Sequence, residues 1–131
     1  MGSLDATAEQ ITTALADDWS DSDLVRLLAE AVHEFETIGD PVRQEMFLAE
    51  PRPTGDVAWD AALAALAVHL VRLAGFGRTP DWTRKPERYT RDFRWIGLTD
   101  DSDLKAFVFQ RTPFYFKARG VMLNEANLES V

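Results

Sequence analysis

The stretch from Val57 to Phe76 constrains this chain most, because its apolar residues do not keep to one side of a helix. Trp59, Leu63, Leu66, Leu70 and Leu73 recur at helical spacing, and alanines such as Ala61, Ala62, Ala64 and Ala65 fill the faces between them. A helix that is apolar all round must be covered all round, by protein or by lipid. Asp60, His69 and Arg72 select protein, since each is expensive in hydrocarbon, so no membrane span is expected. Asp56 is placed to cap this helix and Gly75 to end it. The spacing therefore predicts an all-α fold: a small single-domain helical bundle around a central alanine-rich helix over 56–74. The small alanines let neighbouring helices approach it closely.

The other elements are shorter. Ala8, Ile11, Leu15 and Trp19 follow a possible cap at Ser3 and predict a first helix over 4–19, frayed and only loosely attached. Leu24, Leu28, Ala31, Phe35 and Ile38 form a continuous stripe after Ser20-Asp21-Ser22-Asp23, closed by Gly39. Asp40-Pro41 reads as a cap and first helical residue of a short helix with Val42, Met46 and Phe47 facing inward, halted before Pro51 and Pro53. From Arg78 to Thr99 the periodicity fades, predicting a long ordered loop with short helical turns. Leu104 to Phe109 fits a helix capped by Asp101, Ser102 or Asp103, or else a strand with Phe107 and Phe109 on one face. Thr112-Pro113 starts another short helix ending at Gly120, followed by an extended Val121-Met122-Leu123 and a last turn capped by Asn124. The 131 residues make one domain.

The chain has no cysteine, which excludes disulfides, thiolate metal sites and a cysteine nucleophile. Met1-Gly2-Ser3-Leu4-Asp5 has neither the basic flank nor the apolar run of a signal peptide, and a cytoplasmic location is expected. Charge is uneven: residues 1–60 hold 3 basic and 14 acidic side chains, and residues 61–131 hold 11 and 8. The overall −8 repels phosphate backbones, so DNA is not an expected partner, and it suits a basic protein. A solvated acidic surface is the plainer reading of the same charge.

Motifs that carry chemistry are sparse. Glu30 and His33 share a helical face at the i, i+3 spacing of di-iron bundles, but such a site needs a second pair and two more carboxylates, and His69 has no acid three residues before it. No glycine-flanked serine elbow occurs, and Gly75-Phe76-Gly77 is not followed by the Gly-Lys pair of a phosphate-binding loop. Of the acidic residues clustered at Asp17, Asp18, Asp21 and Asp23 and at Asp100, Asp101 and Asp103, most belong to helix-start positions, where the dipole favours them. No catalytic residue, cofactor or metal is therefore expected. The segment Arg78 to Arg94, with Trp82, Arg84, Arg88, Tyr89 and Phe93, leaves three readings open: plugs that seal a loop to the core, a protein interface, or a stacking surface for single-stranded nucleic acid.

Three segments carry a family likeness. Glu50-Pro51-Arg52-Pro53-Thr54-Gly55-Asp56 leads into Trp59-Asp60-Ala61-Ala62-Leu63 and Ala67-Val68-His69-Leu70; Pro80-Asp81-Trp82-Thr83-Arg84-Lys85-Pro86-Glu87-Arg88-Tyr89 follows; Thr112 to Val121, with Leu128-Glu129-Ser130-Val131, closes the chain. In this order they resemble the C-terminal, non-DNA-binding region of actinobacterial helix-turn-helix regulators of the xenobiotic-response-element type, which look like antitoxins encoded beside nucleotidyltransferase-like toxins. The family's helix-turn-helix normally precedes this region, and here only Leu4 to Trp19 stands in its place. Lys117-Ala118-Arg119 is also less basic than the family's arginine run. The resemblance implies a protein-binding, antitoxin-like module that neutralises a partner toxin, without catalysis of its own. Trp82, Arg84, Arg88, Tyr89, Arg111 and Arg119 are the expected partner-binding residues. An RNA-binding accessory role for residues 78–119 is the alternative.

Overall fold

The computed structural model describes residues 2–96 and 102–129. An 18-residue helix, α4 (Val57–Ala74), lies at the centre. Asp56 caps it by accepting the Ala58 and Trp59 N–H groups, and Gly75 closes it in the left-handed conformation. Trp59, Ala61 to Ala67, and Leu70 are buried completely, so the helix has almost no solvent face. Length and composition alone would let α4 cross a membrane, but its covering here is protein. Leu73, expected inside, is half exposed at the end of the helix, where coverage runs out.

Two helices cover one side. α1 (Leu4–Ala16) starts at Ser3, whose hydroxyl accepts the Ala6 N–H, and buries Leu4, Ala8 and Ile11. α2 (Asp21–Thr37) starts at Ser20 and buries Leu24, Leu28, Ala31 and Phe35, the stripe seen in the sequence. Its end is not a glycine cap, because Ile38 turns the chain in extended conformation before Gly39. α1 is docked rather than loosely attached: the Arg52 guanidinium grips Asp5 through Nε and Nη2 at 3.0 and 2.8 Å, and the Arg52 N–H adds a third bond at 2.9 Å. These bonds hold the Asp5 carboxyl at about 2, well below its ordinary 3.8. The helix also stops at Ala16, three residues before Trp19, so Trp19 leaves the buried stripe and is 46% exposed.

α3 (Pro41–Phe47) is capped by Asp40 and buries Phe47 edge-on against Phe35, the ring centres 5.5 Å apart. Val42 and Met46 correct the expectation that they face inward: both are about two-thirds exposed. A helix of seven residues docked through one end has only one buried position to fill.

The irregular segment packs on α4 with two 3₁₀ turns, Asp81–Arg84 and Pro86–Arg88. It then forms a two-residue strand, β1 (Arg94–Trp95), paired in parallel with β2 (Val121–Met122). This pairing was not legible in the sequence, since a two-residue strand carries no periodicity. Gly120 allows it, because at φ +81° an added Cβ would lie 2.7 Å from the Thr90 carbonyl oxygen. α5 (Ser102–Arg111) settles the helix-or-strand question as helix, while the capping side chain expected at Asp101, Ser102 or Asp103 falls outside the described residues. α6 (Phe114–Lys117) and a last 3₁₀ turn, Glu125–Leu128, capped by Asn124, complete an all-α domain.

Two measurements check this architecture. Ala65 has no exposed surface, so Ala65→Leu should overpack the centre and cost about 1–3 kcal/mol in calorimetry, and an unchanged melting temperature would remove α4 from the middle. An NMR titration should place the Asp5 midpoint near 2, and Arg52→Gln should return it toward 3.8. Because the folded value is the lower one, this tie stabilises above the unfolded value and is lost as pH falls from about 4 to about 2.

Candidate functional site

The six residues expected to bind a partner divide into two groups. Trp82, Arg88 and Arg119 are buried, and each is spent on the fold. The Trp82 indole N–H donates to the Leu48 carbonyl at 3.0 Å, and the Arg88 guanidinium stacks on that ring with its carbon 4.9 Å from the centre. Arg88 donates to the Pro51 carbonyl at 2.9 Å and the Asp60 carbonyl at 3.3 Å, and approaches Glu50 at 3.5 Å. Lys85 also binds Glu50, and hydrogen bonding from it, with a smaller share from Arg88, holds the Glu50 carboxyl below its ordinary value. Arg119 donates to the Thr83 carbonyl through Nε and Nη2 at 3.3 and 2.7 Å, and to the Tyr115 carbonyl at 3.0 Å. Burial pushes the Arg119 guanidinium below its ordinary value. The Leu48, Pro51 and Thr83 carbonyls lie outside any α-helix or strand, and the indole N–H and the forks of the guanidinium groups supply the donors that a ladder would have supplied. A partner surface cannot include these three side chains while the fold stands.

Arg84, Tyr89 and Arg111 remain at the surface. Arg84 is turned back on its own loop, donating to Asp81 at 2.6 Å and Thr79 at 2.5 Å. Tyr89 lies over the Arg119 guanidinium at 4.9 Å. Arg111 lies over Phe107 at 4.4 Å on the outside of α5.

Arg111 leads to a surface the sequence did not single out. Val108 is the one buried side chain described on α5, whereas Leu104, Phe107 and Phe109 are each more than two-fifths exposed. Phe114, at the start of α6, is 65% exposed. Three of these rings carry a cation: Arg111 on Phe107, Lys117 on Phe109 at 4.4 Å, and Arg72 on Phe114 at 5.4 Å. The last bridges α4 to α6, beside Tyr115, whose hydroxyl lies 2.5 Å from His69 Nδ1. Burial lowers the His69 value and raises that of Tyr115, and the two side chains share a hydrogen bond whose donor is set by the imidazole tautomer. α6 is thereby pinned to the central helix, and the Phe114 ring is held outward.

The remaining sequence candidates stay apart. His33 and Glu30 are exposed on α2, and among the described residues no group of three or more histidines and carboxylates is arranged to hold a metal ion. An open groove of about 530 Å³ runs between α3, the end of α4 and the loop after it, lined by Leu48, Val71 and Phe76 with Glu45, Arg78 and Asp81 at its edge. Compared with protein-family models, curated proteins and solved structures, the chain matches none of them.

The assignment of Arg119 to the fold has a direct check. Arg119→Met keeps the bulk but strands the Thr83 and Tyr115 carbonyls, and should cost about 2–4 kcal/mol in urea unfolding. Arg84→Met, at an exposed ion pair, should stay within about 0.5 kcal/mol. Equal losses from the two would return Arg119 to the surface.

Proposed function

We propose that this chain is a protein-binding module whose docking face is the aromatic and cationic surface of α5 and α6. The supporting observation is that Phe107, Phe109 and Phe114 stand exposed with a cation on each ring, in a domain that buries Trp59, Phe35, Phe47 and Phe116 completely. Large apolar side chains left exposed on a small domain mark places of interaction, and aromatic residues with arginine dominate binding energy at protein interfaces. Cations already stacked on their rings lose less freedom on docking than free side chains, which lowers the ordering cost of association.

The resemblance to antitoxin-like regulators supplies the kind of partner: a toxin encoded beside this chain, of the nucleotidyltransferase-like class, neutralised by occlusion of its working surface. No chemistry by this chain enters the reading. The RNA alternative for residues 78–119 is weakened by the burial of Trp82, Arg88 and Arg119, which removes a ring and two cations from any stacking platform.

Co-expression with the product of the neighbouring gene tests the proposal. The neighbour alone should arrest growth, the wild-type chain should relieve the arrest and co-purify with it, and Phe107→Ala/Phe114→Ala should lose both effects while melting as the wild type does. No rescue and no co-purification would overturn the reading. Binding to RNA that falls steeply with added salt would replace it with the alternative.

A further inference from the structure

A second surface lies at the other end of the sequence, and it begins with a strained residue. α1 ends because Asp18 takes a left-handed backbone, φ 58°, the single non-glycine residue among those described to do so. Its N–H donates to the Leu15 carbonyl at 3.2 Å, and the Trp19 N–H reaches back to the Ala14 carbonyl at 3.1 Å. These paired bonds form the closure in which the left-handed position ordinarily belongs to glycine, and the residue after it packs back on the last turn. Trp19 is thus fixed by the backbone, yet it remains 46% exposed.

Its side chain lines two open grooves. One, of about 560 Å³, runs between α1 and α2 over a floor of Ala14 and Leu27, with Glu9 and Asp17 on its rim. The other, of about 330 Å³, runs along α2 between Trp19 and Leu27, with Asp23, Glu30 and Arg26 around it. Four carboxylates thus face one guanidinium. Arg52 approaches Glu9 at 3.8 Å and the Ser20 hydroxyl donates to Asp23 at 3.0 Å, while Asp17 and Glu30 have no ion-pair partner among the described residues.

We propose that this Trp19 ledge docks a basic amphipathic helix of a partner protein. Apolar side chains of the incoming helix enter the grooves beside the indole, and its lysines or arginines meet Asp17, Asp23 and Glu30. A tryptophan beside the apolar Ala14 and Leu27, ringed by net negative charge, combines a hot-spot anchor with a steering field that selects cationic segments and rejects phosphate backbones. The indole face is also the best aromatic platform for an incoming cation. This surface shares no residue with the aromatic face of α5 and α6, and it asks for the opposite charge in its occupant.

A fluorescence-anisotropy titration of the full chain with a labelled synthetic helix of lysine and leucine tests the proposal, with a glutamate and leucine helix as control. The lysine helix should bind, more weakly as salt rises, and the control should not. Trp19→Ala and Asp17→Lys/Glu30→Lys should each weaken binding by about tenfold or more. Thermal melts establish that each variant folds, and if Trp19→Ala does not, the charge reversal at two exposed positions decides. Unchanged affinity in the folded variants, or equal binding of both helices, would overturn the proposal. Concentration-dependent self-association that disappears in the same variants would assign the ledge to a second copy of the chain instead, and would overturn the partner helix.

Discussion

A helix with almost no solvent face imposes a demand that the rest of this chain exists to meet. α4 buries residues on every side, so it is stable in water only when something lies against every side. α1 and α2 cover one flank with ordinary amphipathic stripes. The rest of its surface is closed by irregular chain, two 3₁₀ turns, the short α6 and a two-residue parallel pairing. The short elements of the second half are thus a lid on the central helix rather than an independent layer.

Irregular chain brings its own difficulty, which arginine resolves. Backbone carbonyls outside a ladder need donors once they are buried. Arg88 and Arg119 reach inward and supply them from side chains that also stack on Trp82 and Tyr89. Arg94 does a related task between helix starts, its guanidinium bonded to Asp56 at 2.5 Å and near Asp21 at 3.5 Å. With the Lys85 to Glu50 pair, these contacts fold the basic second half of the chain back onto the acidic first half. Part of the charge asymmetry along the sequence is therefore internal complementarity, and only the remainder is left at the surface.

What remains outside is uneven. Glu9, Asp17, Asp23 and Glu30, which take no part in this pairing, line the grooves beside Trp19, while Arg72, Arg111 and Lys117 stand with exposed phenylalanines near α5 and α6. The two surfaces carry opposite charge and each holds large aromatic side chains at the boundary with water. A domain of this size buries its largest side chains when it can, so aromatic residues left at the surface beside organised charge are the places where contact with another macromolecule gains most.

The sequence by itself determined the all-α class, the place and caps of α4, the stripe of α2 and the Asn124 cap, because helical period and capping chemistry are local properties. It also showed that arginine and aromatic residues concentrate in residues 78–94. Only the tertiary structure decided which of them are working parts of the fold: Trp82, Arg88 and Arg119 turn inward because buried carbonyls of distant segments need donors, and that demand has no local signature. The exposure of Val42, Met46, Leu73 and Trp19 was settled in the same way, by where neighbouring elements run out. The aromatic face of α5 and α6 emerged for the converse reason, since whether an apolar residue is covered depends on what else reaches it and not on its own spacing.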